Sequence, residues 1–94
     1  MKSIYWIWDY DIDERTFIDI LNHKRNIGNL DYLWATQRLL EYARYQDVIK
    51  FLGFSEFVKR WPLIRNRIRS NSRRRGYDFL LKWLTELHPE KFNG

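Results

Sequence analysis

Between Leu30 and Ala43 the residues Tyr32, Leu33, Thr36, Leu39, Leu40 and Ala43 recur every three or four positions. That spacing places them on one side of an α-helix and on neither face of a strand. The opposite side carries Asp31, Arg38 and Glu41, and the same arithmetic puts Trp34 among them. A tryptophan on the polar side of a helix needs a neighbour from elsewhere in the chain. With 94 residues there is material for one core and not two. The reading is therefore a single helical domain over 1–94.

The other elements are read from punctuating residues. Asp11 or Asp13 caps a first helix over about Asp13 to Asn22 that puts Phe17, Ile18 and Leu21 on one face. A loop from His23 to Gly28 follows, with Asn29 as the N-cap of the second helix. Asp47 caps a short helix through Leu52 that Gly53 closes, and Ser55 caps another through Trp61. Pro62 suits a first helical turn, so Trp61, Ile64 and Ile68 continue one stripe into the next segment. The last helix starts near Ser70 or Ser72 and stops before Pro89. Its apolar residues, Gly76 to Leu87, cover more than half of its circumference. Such a helix is packed on two sides, either at the centre of the core or at an oligomer interface. Ser3 to Trp8 is dense in β-branched and aromatic side chains and reads as extended. The predicted fold is all-α: a compact bundle of about five helices with a short extended N-terminal arm over 1–8. Packing of that arm on its own helices, with Trp6 and Trp8 buried, is preferred over strand addition to a partner or a second copy.

Composition excludes more than it assigns. There are no cysteines, so no disulfide framework, thiolate metal site or cysteine nucleophile, and two histidines leave little for another metal centre. No apolar run approaches the ~18 residues of a membrane span, and the first residues lack the layout of a secretory signal. A soluble, cytoplasmic protein is expected. His23 and His88 are isolated from any serine or acid at motif spacing. The alternating acids Asp9, Asp11, Asp13 and Glu14 fail the calcium-loop template, with Glu14 where glycine is required and Ile20 where a bidentate glutamate is required. Helix capping and attraction to the chain's own arginines account for them. The expectation is no enzyme: no catalytic residues, no metal and no cofactor.

The segment from Lys59 to Arg75 carries eight positive charges and no acid, and subtracting these eight from the net +5 leaves −3 for the rest of the chain. Arg60, Arg65, Arg67, Arg69, Arg73, Arg74 and Arg75 are the candidate partner- or phosphate-binding residues, because a guanidinium fork matches phosphate and carboxylate geometry. Asn66, Ser70, Asn71 and Ser72 between them also hydrogen-bond phosphate oxygens. If these side chains face outward, Arg73→Glu with Arg74→Glu removes binding and leaves helicity intact. Trp6, Trp8 and Trp34 are weaker candidates for partner contact.

Three stretches together carry a resemblance: W-D-Y-D at Trp8 to Asp11, L-L-E-Y-A-R-Y-Q-D-V-I-K-F-L-G-F at Leu39 to Phe54, and I-R-S-N-S-R-R-R at Ile68 to Arg75. They resemble a group of short, uncharacterised prokaryotic helical proteins with a Trp-Asp-x-Asp start and a Leu-Glu-Tyr-Gly block, encoded beside nucleotidyltransferase-like toxins of the abortive-infection type. The resemblance implies an antitoxin-like or accessory role with such a toxin as protein partner, and it transfers no catalytic residue. Where the group has glycine after Glu-Tyr, this chain has Ala43. The expected function is a non-catalytic binding protein, with self-association as a further expectation. The alternative is a nucleic-acid-binding protein that contacts the phosphate backbone through Arg65 to Arg75.

Overall fold

Two aspartates start the first two helices. In a computed structural model, which describes residues 5–91, Asp13 accepts a 2.8 Å hydrogen bond from the Thr16 N–H and opens α1 (Glu14–Leu21). That bond to the carboxylate holds Asp13 below its ordinary pKa. Asp31 accepts from the Trp34 N–H at 2.9 Å and opens α2 (Tyr32–Tyr42). The expected cap Asn29 lies two residues before Asp31, in a tight turn where Ile27 and Leu30 exchange backbone hydrogen bonds. Gly28 supplies the positive φ of 58° that this turn requires.

α3 (Tyr45–Phe51) has no side-chain cap on itself. The Tyr5 hydroxyl takes that part: it accepts from the Arg44 N–H at 2.8 Å and donates to Asp47 at 2.5 Å. Asp47 is thus a tether for Tyr5, not the cap it was expected to be. Gly53, at φ 81°, turns the chain directly into α4 (Gly53–Ile64), so Ser55 lies inside the helix instead of at its start. Pro62 sits in the last turn of α4, not in a first turn. Its missing N–H withdraws one i→i−4 bond, and the helix ends at Ile64 before a tighter 3₁₀ turn over Arg65–Arg67. Trp61, Ile64 and Ile68 are nevertheless all buried along the expected stripe. Ser70 caps α5 (Asn71–Lys82) by accepting from the Arg73 N–H. α5 then widens into a π-turn over Trp83–Leu87, where the His88 N–H reaches the Trp83 carbonyl.

Among the described residues the fold is an all-α bundle of five helices in which α2 occupies the centre, packed against α1, α3, α4 and the first turn. Phe17, Ile20 and Leu21 of α1 and Leu39 and Leu40 of α2 are fully buried with Phe57, Trp61 and Leu84. The segment Tyr5–Ile7 forms a 3₁₀ turn, where the β-branched and aromatic composition predicted an extended arm. Residues 1–4 of the predicted arm lie outside the described residues. Docking on its own helices holds for Trp6 and Ile7, which are buried, while Trp8 is 60% exposed. α5 takes the edge position, contrary to the first of its two expected placements: Tyr77, Leu80 and Leu84 face the core, and Phe79 and Leu87 stand in solvent. Among the described residues no helix is long and apolar enough to cross a membrane.

Candidate binding surface

Four of the seven candidate arginines point into the protein's own structure. Arg60 is 4% exposed and donates to the last carbonyl of α1, Leu21, at 2.8 Å, to Thr36 Oγ1 at 3.0 Å and to Glu56 at 2.9 and 3.1 Å. Burial works to raise the Glu56 carboxyl, and its bonds from Arg60 outweigh that and hold it below its ordinary pKa. Arg65 grips Asp78 with two 2.7 Å bonds, and the Trp61 indole N–H adds a third at 2.8 Å. The Arg65 bonds keep the Asp78 carboxylate below its ordinary pKa. Arg73 donates to the Leu40 and Ala43 carbonyls at 3.0 and 2.9 Å, satisfying acceptors that the end of α2 leaves without an intrahelical donor. Arg74 bonds Asn71 and the Ile68 carbonyl. The expectation that the whole segment faces outward is corrected for these residues: carbonyls at the ends of α1 and α2 take Arg60 and Arg73, Asp78 takes Arg65, and Asn71 with the Ile68 carbonyl takes Arg74. The pair Arg73→Glu and Arg74→Glu is accordingly a folding perturbation.

Arg67, Arg69 and Arg75 remain exposed, and among the described residues their side chains make no hydrogen bond or ion pair. Their backbone is tied to α2: Gln37 donates to the Arg67 carbonyl at 3.3 Å and the Arg69 N–H donates to Glu41 at 3.1 Å. Residues 67–69 therefore run along one flank of the outer face of α2.

The other flank of that face is aromatic. Trp34, Arg38 and Tyr42 follow one another at i, i+4, i+8 along α2 and form a single ridge. The Arg38 guanidinium lies 4.7 Å from the ring centre of Trp8, 4.7 Å from Tyr42 and 5.6 Å from Tyr10. It donates to the Trp6 carbonyl at 3.2 Å and pairs with Asp9. Trp8 and Tyr42 meet edge to face at 4.8 Å, and Tyr10 meets Trp34 at 5.1 Å. The neighbour that Trp34 required is thus Tyr10, with Phe17 beneath it at 6.2 Å. Trp6 is 2% exposed, inside the core between Tyr5, Phe17 and Phe51, so it faces no partner. Its indole N–H finds no acceptor among the described residues.

Of the candidates, the structure brings Trp8, Trp34, Arg67 and Arg69 onto one face and sets Trp6 and Arg60 in the interior. Sequence reasoning missed Arg38, Tyr10 and Tyr42. The 34–38–42 ladder was the available signal for two of them, since it repeats an aromatic or arginine at every fourth position. Among the described residues no three histidine, aspartate or glutamate side chains gather as a metal site requires. His23 packs its ring on Tyr32, and His88 on Trp83 with a 3.0 Å contact to Glu90. Comparison of the chain with protein-family models, curated proteins and solved structures finds no match.

Proposed function

We propose that this protein is a non-catalytic binding partner of a larger protein, the antitoxin-like accessory role that the resemblance implies, and that it docks through the outer face of α2. The observation that carries the reading is the cluster of the exposed rings of Trp8, Tyr10 and Tyr42 around the Arg38 guanidinium, which lies largely covered beneath them and fixes them in place. Tryptophan, tyrosine and arginine dominate binding energy at protein interfaces. Rings and guanidinium already fixed against each other lose little conformational freedom on docking. Arg67 and Arg69 on the opposite flank act as rim charges, which favour an acidic surface and speed encounter with it. Co-purification with the product of the neighbouring gene tests this. Trp8→Ala with Tyr42→Ala is expected to weaken the complex at least about tenfold, because both rings lie where an interface core would form. Far-UV circular dichroism should stay unchanged. Unaltered affinity overturns the assignment to this face.

Phosphate-backbone binding is the second reading, favoured by the exposure of Arg67, Arg69 and Arg75 beside the capped start of α5.

A further inference from the structure

A groove of about 360 Å³ runs along α5 where that helix faces the junction of α2 and α3, and we propose that it binds a small carboxylic acid with an apolar tail. Ala43, Leu80, the ring of Tyr45 and the open side of Gly76 make its walls mostly apolar. Ser72, Arg73 and Tyr77 supply its polar groups. Side chains of a helix lean toward its N-terminus, so the Tyr77 hydroxyl lies over the turn that carries Arg73, and Leu80 lies over Gly76. The groove thus has a polar end near the start of α5 and an apolar end farther along. Gly76 keeps it open. Glycine inside a helix is destabilising relative to alanine, and here no neighbour requires the missing Cβ, which would meet nothing within 4 Å. The space it leaves belongs to the groove.

The polar end holds donors that lack an acceptor. A buried tyrosine hydroxyl ordinarily finds a hydrogen-bond partner. Tyr77 is 7% exposed, and its hydroxyl proton has no acceptor among the described residues, because its neighbour there is the Arg73 guanidinium, which only donates. Arg73 uses Nη1 on the Leu40 and Ala43 carbonyls, and among the described residues no carboxylate pairs with its charge. Its Nε and Nη2 are the parallel pair of N–H donors that a single carboxylate accepts side by side. Ser72 adds a hydroxyl and one of the N–H groups that the first turn of α5 leaves without an intrahelical acceptor. One carboxylate satisfies these donors together and neutralises the Arg73 charge. The apolar end then sets the rest of the ligand: from Ser72 to Leu80 the helix rises about 12 Å, room for an extended chain of about eight carbons with its carboxylate.

A heteronuclear NMR titration of the full chain with sodium octanoate tests this. Saturable shifts are expected at the amides of Ala43, Tyr45 and residues 72–80, with a dissociation constant of about 0.1–1 mM for a ligand of about ten non-hydrogen atoms. Octanol lacks the charge, octylamine reverses it and acetate lacks the tail, so each should bind at least about tenfold more weakly. Gly76→Leu fills the groove with a better helix former and should abolish the shifts while circular dichroism is retained. Tyr77→Phe keeps the ring, removes the donor and should weaken octanoate binding about tenfold. Were Gly76→Leu not to fold, Tyr77→Phe and the comparison ligands decide. The proposal is overturned by the absence of saturable shifts, by octanol binding as tightly as octanoate, or by shifts that persist in Gly76→Leu. Shifts centred on the exposed Arg67, Arg69 and Arg75 overturn it as well, since they mean an anion collected by surface charge. None of the altered residues belongs to the aromatic face over α2, so the two assignments fail or succeed separately.

Discussion

Arg60 shows how a charge that reads as surface becomes core. On the α4 wheel it falls next to Phe57 and Trp61, and its long stem carries the guanidinium to the last carbonyl of α1 and the hydroxyl of Thr36. Deleting the fork leaves that carbonyl buried and without a donor. Arg60→Met is therefore expected to lower unfolding free energy by about 2–3 kcal/mol. Arg67→Ala, at a side chain with no partner among the described residues, should stay within about 0.5 kcal/mol. Urea denaturation of the two variants checks the contrast. The charge run itself does not separate these arginines; only the helix wheel sets Arg60 beside apolar neighbours. What separates them is whether a helix end without donors lies within reach.

At the level of elements, the helices are joined by polar tethers as much as by apolar contact. Arg73 ties α5 to the end of α2, and Arg65 with Asp78 ties the end of α4 to α5. The Asp78 carboxylate titrates below its ordinary value in the folded state because Arg65 bonds its charged form. A depressed folded pKa means the contribution is fully present at neutral pH and is lost as pH falls through the folded value, below about pH 4. Asp78→Asn should reduce stability at pH 7 by roughly 1 kcal/mol, the pair being partly exposed. It should also flatten the acid limb of the stability–pH curve, measured by thermal melts between neutral pH and pH 2. An unchanged acid limb would assign that slope to other carboxylates. The π-turn at the end of α5 and the 3₁₀ turn after Pro62 belong to this scale too, and neither was read from the sequence, where Pro62 was expected in a first helical turn.

Over the whole molecule, internal bonding removes Arg60, Arg65, Arg73 and Arg74 from the outward charge of the basic segment. A phosphate backbone would meet about three arginines, so the logarithmic salt dependence of any nucleic-acid binding should have a slope near −3. A fluorescence titration over a series of salt concentrations measures it, and a slope near −6 would mean that the internal bonds open on binding. The surface that remains includes the aromatic face over α2, with Trp8, Tyr10 and Tyr42 exposed, and the separate exposed side chains Phe79 and Leu87.

Helix content, the inward stripe of α2, and the capping of α1 by Asp13 and of α5 by Ser70 were all legible in the chain, because each depends on residues within a turn or two of one another. Tertiary packing alone decided that α2 and not α5 takes the centre, that the first aromatic segment coils instead of extending, and which arginines stay outside. These outcomes follow from hydrogen-bond partners brought together across tens of residues, such as Tyr5 with Arg44 and Arg73 with Leu40. A local pattern carries no record of which distant carbonyl will need a donor.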